Sequence, residues 1–187
     1  MIRGLPRVSN KPPTLAQSNQ RFKFGLVTGF LSRIAGFIDL GFGSLKGSAS
    51  PMNSAVAYHL TNAITGVAPN FLIDYTKLRI NKGKLELPGN IVVALTVPAR
   101  IDFTWVNIGQ SNKYKDPTDV ANIVVYNPTK DTFTTLKAAA ARSTLGYNLL
   151  VPPDYSGDQV HVYISFSSTI QKKLVSETEY IGQLLLL

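Results

Sequence analysis

The sequence predicts an α+β protein: an N-terminal arm and a two-helix unit, followed by an antiparallel β-sandwich of the immunoglobulin or fibronectin type III kind. Apolar residues recur at helical spacing as far as Ile64, and from Pro69 onward the period changes to two. Short strand patterns separated by polar turns then follow one another, as in sandwiches. We therefore expect an extended basic arm over residues 1–13, a helical hairpin over 14–68 and the sandwich over 69–187.

Composition sets limits on the class of protein. The chain has 187 residues, 44% of them hydrophobic and 16% charged, which is typical of a globular protein with a charge-poor surface. The formal net charge of +8 favours anionic partners such as nucleic acid, acidic lipid or an acidic neighbouring subunit. The absence of cysteine excludes disulfides, thiol catalysis and thiolate metal sites, and it leaves the compartment open.

The N-terminal arm is basic and interrupted by prolines. The first 38 residues contain six Lys or Arg residues and no acidic residue. Leu5 and Val8 lie among the cations, as in a strand that adds to the edge of another sheet. The arm lacks the interleaved aromatic residues on which single-stranded nucleic acids stack. We expect docking on protein, with nucleic acid binding and a simple solvated tail as the alternatives.

The first helix is predicted to begin after Thr14, because Thr14 and Gln17 have the spacing of a capping box. It is expected to end at Gly41–Ser44. Arg33 and Asp39 interrupt the apolar stretch, which favours an amphipathic helix over a membrane span and leaves an interfacial role as the alternative. No cleavable signal peptide is visible at Met1. The predicted apolar face consists of Phe22, Leu26, Phe30, Ile34 and Ile38.

The second helix is predicted to begin with Ser50 as N-cap and Pro51 at its first position. Gly66 occupies the place where a C-terminal glycine usually ends a helix. We expect the two helices to pair as a hairpin or to cover one face of the following sheet. The apolar side of the second helix consists of Met52, Val56, Tyr58, Leu60 and Ile64.

Six strands are predicted in the remainder of the chain, at 71–80, 91–97, 101–105, 120–126, 132–136 and 160–166. In the last of these, His161, Tyr163 and Ser165 alternate with apolar residues and are expected on the outward face. Trp105 on an early central strand, with this late strand, is similar to immunoglobulin or fibronectin type III order. Any seven-stranded sandwich needs such residues, so both interpretations stay open.

The chain ends in four leucines, Leu184–Leu187, which are costly to leave in water at about 1.5–3 kcal/mol for each buried side chain. They are interpreted as the last strand of the chain's own sheet. The alternatives are that they insert into a neighbouring copy or that the terminus frays.

No catalytic, cofactor-binding or metal-binding residues are predicted. His59 and His161 have no second ligand at metal-binding spacing. Asp116–Asp119 lacks the acidic alternation of a calcium loop, and the glycines of 41–47 do not follow a strand into a helix as a phosphate cradle does. Motifs for a nucleophilic serine are absent. We therefore expect a protein that is not an enzyme and has no small-molecule substrate.

Several segments carry a family resemblance. They are Ile2–Pro6, Pro13–Gln17 with Gln20–Phe24, Asn53–Tyr58, Asn62–Gly66, Ile73–Lys77, and more weakly Val125–Pro128 and Ser156–Tyr163. The chain resembles an uncharacterised family from Bacteroidota, catalogued as a domain of unknown function, over nearly its whole length. Members usually carry a glycine-rich stretch before the Ile-Arg-x-Leu-Pro segment, which implies that Met1 is a trimmed or truncated start. The start of the first helix also resembles one seen in phage virion proteins.

These observations predict a non-enzymatic structural subunit of a repeating assembly, virion-like or an extracellular filament, held by arm or strand exchange between copies. Its partners would be identical copies or other structural subunits, with no role for a membrane. The alternative is a basic module that binds nucleic acid or another anionic surface. A carbohydrate or adhesion module using Trp105 and the tyrosines expected on outward faces is a weaker option. The predicted assembly interface consists of Ile2, Arg3, Leu5, Arg7, Val8, Lys11, Leu184, Leu185, Leu186 and Leu187.

Overall fold

A computed structural model describes residues 12–43 and 49–187, and it confirms the α+β class with antiparallel sheets. The arm lies almost entirely outside the described residues. Within them the helices are α1 (Leu15–Ser32), α2 (Ala35–Phe42) and α3 (Pro51–Asn62). The strands are β1 (Ile64–Val67), β2 (Asn70–Ile73), β3 (Gly89–Ala94), β4 (Arg100–Val106), β5 (Val120–Asn127), β6 (Thr132–Leu136), β7 (Gly146–Leu150), β8 (Gln159–Ser167) and β9 (Glu179–Leu185).

The strands form a four-stranded sheet in the order β6-β5-β8-β9, a three-stranded sheet in the order β3-β4-β7, and the separate hairpin β1-β2. All pairings between these strands are antiparallel. The middle of the four-stranded sheet is held in register by pairs such as Val125 opposite Val162. In the three-stranded sheet Phe103 lies opposite Tyr147. The arrangement is compatible with a β-sandwich.

The four-stranded sheet is buried on both faces, since strands β5 and β8 are buried almost throughout. Its first face packs against the three-stranded sheet, and its second face packs against the helices. The core between the sheets includes Ile101, Phe103, Trp105, Ile123, Val125, Val160, Val162, Ile164 and Phe166. The core under the helices includes Val27, Phe30, Leu31, Ile34, Phe37, Ile38, Phe42, Val56, Val124, Tyr126 and Tyr163. The molecule therefore has three layers: helices, four-stranded sheet and three-stranded sheet.

The second face of β8 corrects a sequence prediction. His161, Tyr163 and Ser165 were expected on an outward face, and all three are buried. The Tyr163 hydroxyl donates a hydrogen bond to the Tyr75 carbonyl at 2.7 Å. Alternation with apolar residues does not show whether the other face of a strand is exposed to solvent or covered by a second layer. Histidine, tyrosine and serine occur in both places, because they can be buried when they are hydrogen-bonded.

The first helix is shorter than predicted. It breaks at Arg33–Ile34, and α2 is bent by 93° relative to α1. The bend directs Ile34 and Ile38 of the predicted face into the core, while Phe22 from the same face is 58% exposed. A straight helix would carry the apolar residues of α2 past the edge of the sheet, whereas the bent one packs them on α3.

The second helix begins as predicted, with Ser50 accepting a hydrogen bond from the Asn53 backbone N–H. It ends at Asn62, so the prediction that Gly66 closes it was wrong. Gly66 lies instead in β1 with φ +83°, where a Cβ would come within 2.3 Å of the Asn70 carbonyl oxygen. Only glycine fits this close approach of the two strands. The hairpin spans the expected boundary between 14–68 and 69–187, and that division stays a prediction.

The strand predicted for residues 71–80 stops at Ile73. The Asp74 carboxylate accepts hydrogen bonds from the Thr76 backbone N–H and hydroxyl, which turns the chain into a short 3₁₀ turn at Tyr75–Lys77. Four of the other predicted strands coincide closely with β4, β5, β6 and β8, and β3 ends at Ala94, three residues before the predicted end. Strand β7 was not predicted, because Gly146–Leu150 shows no clear alternation.

The C-terminal leucines belong to the chain's own fold. Strand β9 pairs with β8, with Leu184 opposite Val160. Leu186 is 2% exposed, and with Leu184 it packs in the core between the sheets, whereas Leu185 and Leu187 are 61% and 53% exposed. Of the four predicted interface leucines, Leu186 is thus a core residue of this chain, and the partly buried Leu184 packs against the same core.

A buried ion pair connects segments that precede three different strands. The side chains of Arg142 and Asp119 are both 0% exposed, and Arg142 Nη2 lies 3.2 Å from Asp119 Oδ2. Arg142 also donates to the Glu86 carbonyl, and its own carbonyl accepts from the Trp105 indole N–H at 2.8 Å. The guanidinium carbon lies 5.1 Å from the centre of the Phe166 ring. This one side chain therefore links the segments before β3 and β5 to the loop before β7.

We predict that Arg142→Met lowers the free energy of unfolding by about 3–5 kcal/mol, because it leaves the Asp119 carboxylate buried without a cation. Urea denaturation measures the change. The matched control is Arg100→Met, whose pair with Asp102 is partly exposed (29% and 15%) and should contribute less than about 1 kcal/mol. Equal stabilities of the two variants would contradict the assignment.

Neighbouring leucines of the C-terminus provide a second test. Leu186→Ala removes a side chain from the core and should cost about 2–5 kcal/mol, while Leu185→Ala should change stability by no more than about 0.5 kcal/mol. Thermal and urea unfolding of the two variants give the comparison. A Leu186 variant as stable as the Leu185 variant would show that the terminus does not close the core.

Candidate docking surface

Helix α1 begins with a complete capping box, as predicted. The Thr14 side chain accepts a hydrogen bond from the Gln17 backbone N–H at 3.3 Å, and the Gln17 side chain accepts one from the Thr14 backbone N–H at 3.0 Å. Both bonds satisfy N–H groups that the first turn of a helix leaves without partners. The start of the helix is therefore defined by local sequence and needs no tertiary contact.

The first three turns of α1, residues 15–26, contain no buried residue, and the first buried side chain is Val27. We refer to residues 15–26 as the exposed half of α1. Leu15, Phe22 and Phe24 within it are 75%, 58% and 51% exposed. Three exposed apolar side chains thus occur within ten positions, on more than one side of the helix.

The β1-β2 hairpin also has exposed apolar side chains. Strand β2 packs beside α1, and Lys23 Nζ lies 4.7 Å from the centre of the Phe71 ring. Val67 and Leu72 on the hairpin are 78% and 65% exposed. The exposed half of α1 and strand β2 therefore lie side by side, and both carry exposed apolar side chains.

An open cleft of about 470 Å³ lies between α1, β2 and the turn that joins β5 to β6. Aromatic rings and exposed aliphatic side chains form much of its lining, and glycines occupy the helical side. The lining residues are Gly25, Leu26, Gly29, Phe30, Arg33, Leu72, Ile73, Tyr75, Tyr126 and Asp131. A volume of this size is in the range of clefts that accept a small molecule or a short peptide segment.

The polar end of the cleft is an ordered network. Arg33 Nη1 lies 2.8 Å from Asp131 Oδ1, and the Tyr126 hydroxyl donates to the same oxygen at 2.7 Å. The hydrogen bond from Tyr126, followed by that from Arg33, lowers the pKa of Asp131 below its usual value. Burial, with the bond to Asp131, raises the pKa of Tyr126. The network therefore holds an ionised carboxylate at the rim, and it connects the break between α1 and α2 to the turn between β5 and β6.

Both helical glycines of the cleft face open space. A Cβ added to Gly25 or Gly29 would meet no heavy atom within 4 Å. A glycine inside a helix costs about 1 kcal/mol relative to alanine, so neither residue stabilises the isolated chain. The described part of the molecule gives no packing reason for glycine at either position.

Both histidine rings form hydrogen bonds within the fold. His59 Nδ1 lies 2.7 Å from the Ala55 carbonyl, and His59 Nε2 accepts from the Arg79 backbone N–H at 3.1 Å. These partners require the neutral ring with its proton on Nδ1. Burial accordingly lowers the pKa of His59. Burial also lowers the pKa of His161, whose Nδ1 lies 2.9 Å from the Tyr180 hydroxyl.

Two further properties of the described residues concern metals and membranes. Within residues 12–43 and 49–187, no three His, Asp or Glu side chains are grouped so that they could hold a metal ion. No single helix in this part of the chain is both long and apolar enough to cross a membrane. Taken together, α1 and α2 reach the required length and hydropathy, but they are bent by 93°.

The structure locates only part of the predicted interface. Ile2, Arg3, Leu5, Arg7, Val8 and Lys11 lie outside the described residues. Leu184–Leu187 lie at the far end of β9, and none of them lines the cleft. The exposed residues Leu15, Phe24 and Leu72 were not predicted as interface residues, although a helix whose apolar residues occur off its main face was a signal available from the sequence.

Comparison with known protein families identifies the family of this chain. The profile of a family of unknown function (DUF6266) matches residues 1–182. A search of curated proteins finds no match to the chain. The predicted resemblance is thereby confirmed at the level of a family without an assigned function, and the bacterial source stays a prediction. The chain belongs to the family of unknown function DUF6266.

Proposed function

We propose that this protein is a non-enzymatic structural subunit of a repeating assembly, virion-like or an extracellular filament, held by exchange of the N-terminal arm between copies. The observation that carries the proposal is the exposed half of α1, which has an ordered start and apolar side chains but no buried residue. Such a segment gains most of its stability when another protein covers it.

Helix energetics support this interpretation. Isolated helices shorter than about 12–15 residues are marginal in water, and most helical stability in proteins comes from packing. The exposed half of α1 has 12 positions, residues 15–26, and one of them is Gly25. Capping at Thr14 contributes about 1 kcal/mol, comparable with the cost of the glycine. A covering partner would supply the missing packing.

The directions of the exposed side chains indicate how the partner would bind. Phe22 and Phe24 are two positions apart, so they project from nearly opposite sides of the helix. Leu15 and Phe22 are seven positions apart and lie on the same side. Apolar groups on two sides suit a helix that projects between neighbouring subunits, as in a multi-subunit assembly.

The C-terminal strand supports exchange of the arm rather than of β9. Strand β9 pairs with β8 of its own chain, and Leu186 is buried in the same chain's core. Exchange of this strand would require opening a closed core. The arm, in contrast, adjoins the exposed half of α1 directly.

The strand order favours the fibronectin type III version of the predicted sandwich. With β3, β4 and β7 as strands A, B and E, and β5, β6, β8 and β9 as C, C′, F and G, the sheets become ABE and C′CFG. In the seven-stranded constant-type immunoglobulin arrangement a strand D joins ABE instead. Such sandwiches are common in cell-surface proteins, which agrees with an extracellular structural role.

The second candidate function is binding to nucleic acid or another anionic surface. It is favoured by the charge of α1, which contains Arg21 and Lys23 and no acidic residue. The third cation near this helix, Arg33, is already paired with Asp131. Binding of this kind would weaken steeply as salt is added.

We predict that the double variant Phe22→Ser, Phe24→Ser shifts the protein from an oligomer to a single chain, because it removes the apolar contacts of the exposed half of α1. Size-exclusion chromatography with light scattering, over a range of concentrations, measures the mass. The matched control is Leu150→Ser, a 73% exposed leucine on the three-stranded sheet, which should assemble like the wild type.

A wild-type protein that stays a single chain at the highest concentration would overturn the proposal. If it then retained an oligonucleotide at low salt and released it as salt is added, the second candidate would replace the first. Unchanged melting temperatures in the variants would show that the monomer fold is intact.

A further inference from the structure

We propose that the cleft beside α1 is the acceptor site for residues Arg3–Val8 of a neighbouring copy. This inference rests on the proposed function, and it names the site at which the exchanged arm binds. The cleft is about 470 Å³ in volume and open to solvent, and its lining includes three aromatic residues, Phe30, Tyr75 and Tyr126.

The chemistry of the arm fits this lining. The segment reads Arg3-Gly4-Leu5-Pro6-Arg7-Val8, with one leucine, one proline and one valine among two arginines and a glycine. Proline-containing segments bind in aromatic-lined grooves, where their extended backbone loses little entropy. Phe30 and Tyr126 are only 5% and 4% exposed, so Leu5 and Pro6 would contact mainly the half-buried ring of Tyr75 and the exposed side chain of Leu72.

The rim of the cleft holds one carboxylate that a cation of the arm could contact. The contacts of Asp131 with Arg33 and Tyr126 both fall on Oδ1, and the carboxylate side chain remains 65% exposed. Its second oxygen can accept a hydrogen bond from a guanidinium of the arm. Arg3 and Arg7 flank Leu5 and Pro6, so either can reach a carboxylate at the end of the cleft.

The two helical glycines give the cleft its depth. Gly25 and Gly29 are one turn apart, both line the cleft, and both face open space. In the isolated chain they only weaken the helix. Against an incoming segment the missing side chains let a second backbone approach α1 closely.

The occupant is the arm of a neighbouring copy and not the chain's own arm, because the proposed function holds the assembly together by exchange of this segment between copies. A chain's own arm in the cleft would add no contact between copies.

The absence of cysteine from the sequence allows a direct test by disulfide trapping in the full chain. Two single variants, Leu5→Cys and Leu72→Cys, are mixed under assembling conditions, oxidised and separated by non-reducing electrophoresis. We expect a crosslinked dimer that contains one chain of each variant. The matched control replaces Leu72→Cys with Leu150→Cys, which is similarly exposed (73% against 65%) but remote from the cleft, and should give no dimer above background.

Further outcomes separate the inference from the proposed function. The double variant Leu5→Cys, Leu72→Cys would give only an internally crosslinked single chain if the arm bound its own cleft, and that result would overturn the inference. Equal dimer yields with Leu72→Cys and Leu150→Cys, or no dimer in a sample that light scattering shows to be assembled, would also overturn it while leaving the structural role intact. A wild-type protein that never assembles would refute both.

Discussion

The fold depends on one constraint: a four-stranded sheet that is buried on both faces needs a cover on each. Strands β5 and β8 supply apolar or hydrogen-bonded residues to both sides, so neither side can face water. The three-stranded sheet covers one face and brings Ile101, Phe103 and Trp105 to it. The helices cover the other, with Phe30 and Ile38 packed near Val124 and Tyr126.

The bend between α1 and α2 is a consequence of this constraint. The sheet is covered by the last part of α1, by α2 and by α3, and the beginning of α1 extends beyond the covered area. Arg33 lies between the part of the helix that covers the sheet and the part that belongs to the candidate docking surface. It lies at the break, and its pair with Asp131 fixes α1 to the turn between β5 and β6 at one end of the cleft. The same contact therefore holds the helix over the core and forms one end of the cleft in the candidate docking surface.

Much of the fold could be predicted from local sequence. The capping residues Thr14 and Ser50 define the starts of two helices, and period-two alternation defines β4 and β8. Local patterns could not predict the break at Arg33, because it follows from the packing of the helices on the sheet, and the partner of Arg33 is 98 positions away in the sequence. Nor could they identify Arg142 as buried, since its partner Asp119 looks like an ordinary turn residue.

The candidate site was only partly predictable, for a related reason. Charge and proline content are local properties of the sequence, and they predict that the arm is an interaction segment. The acceptor surface depends on three segments that meet only in the folded chain: α1, β2 and the turn containing Asp131. The C-terminal leucines cannot be distinguished by residue type. The pairing of β9 with β8 determines that Leu186 is buried and Leu185 is exposed.

We propose that a neighbouring subunit, and not its own chain, stabilises the exposed half of α1. This can be measured by hydrogen exchange of the backbone amides, followed by mass spectrometry at low and high protein concentration. We expect amides of residues 19–26 to exchange rapidly in the dilute single chain and at least about tenfold more slowly after assembly, while amides of β5 and β8 do not change. Equal and strong protection of residues 19–26 at both concentrations would refute the proposal.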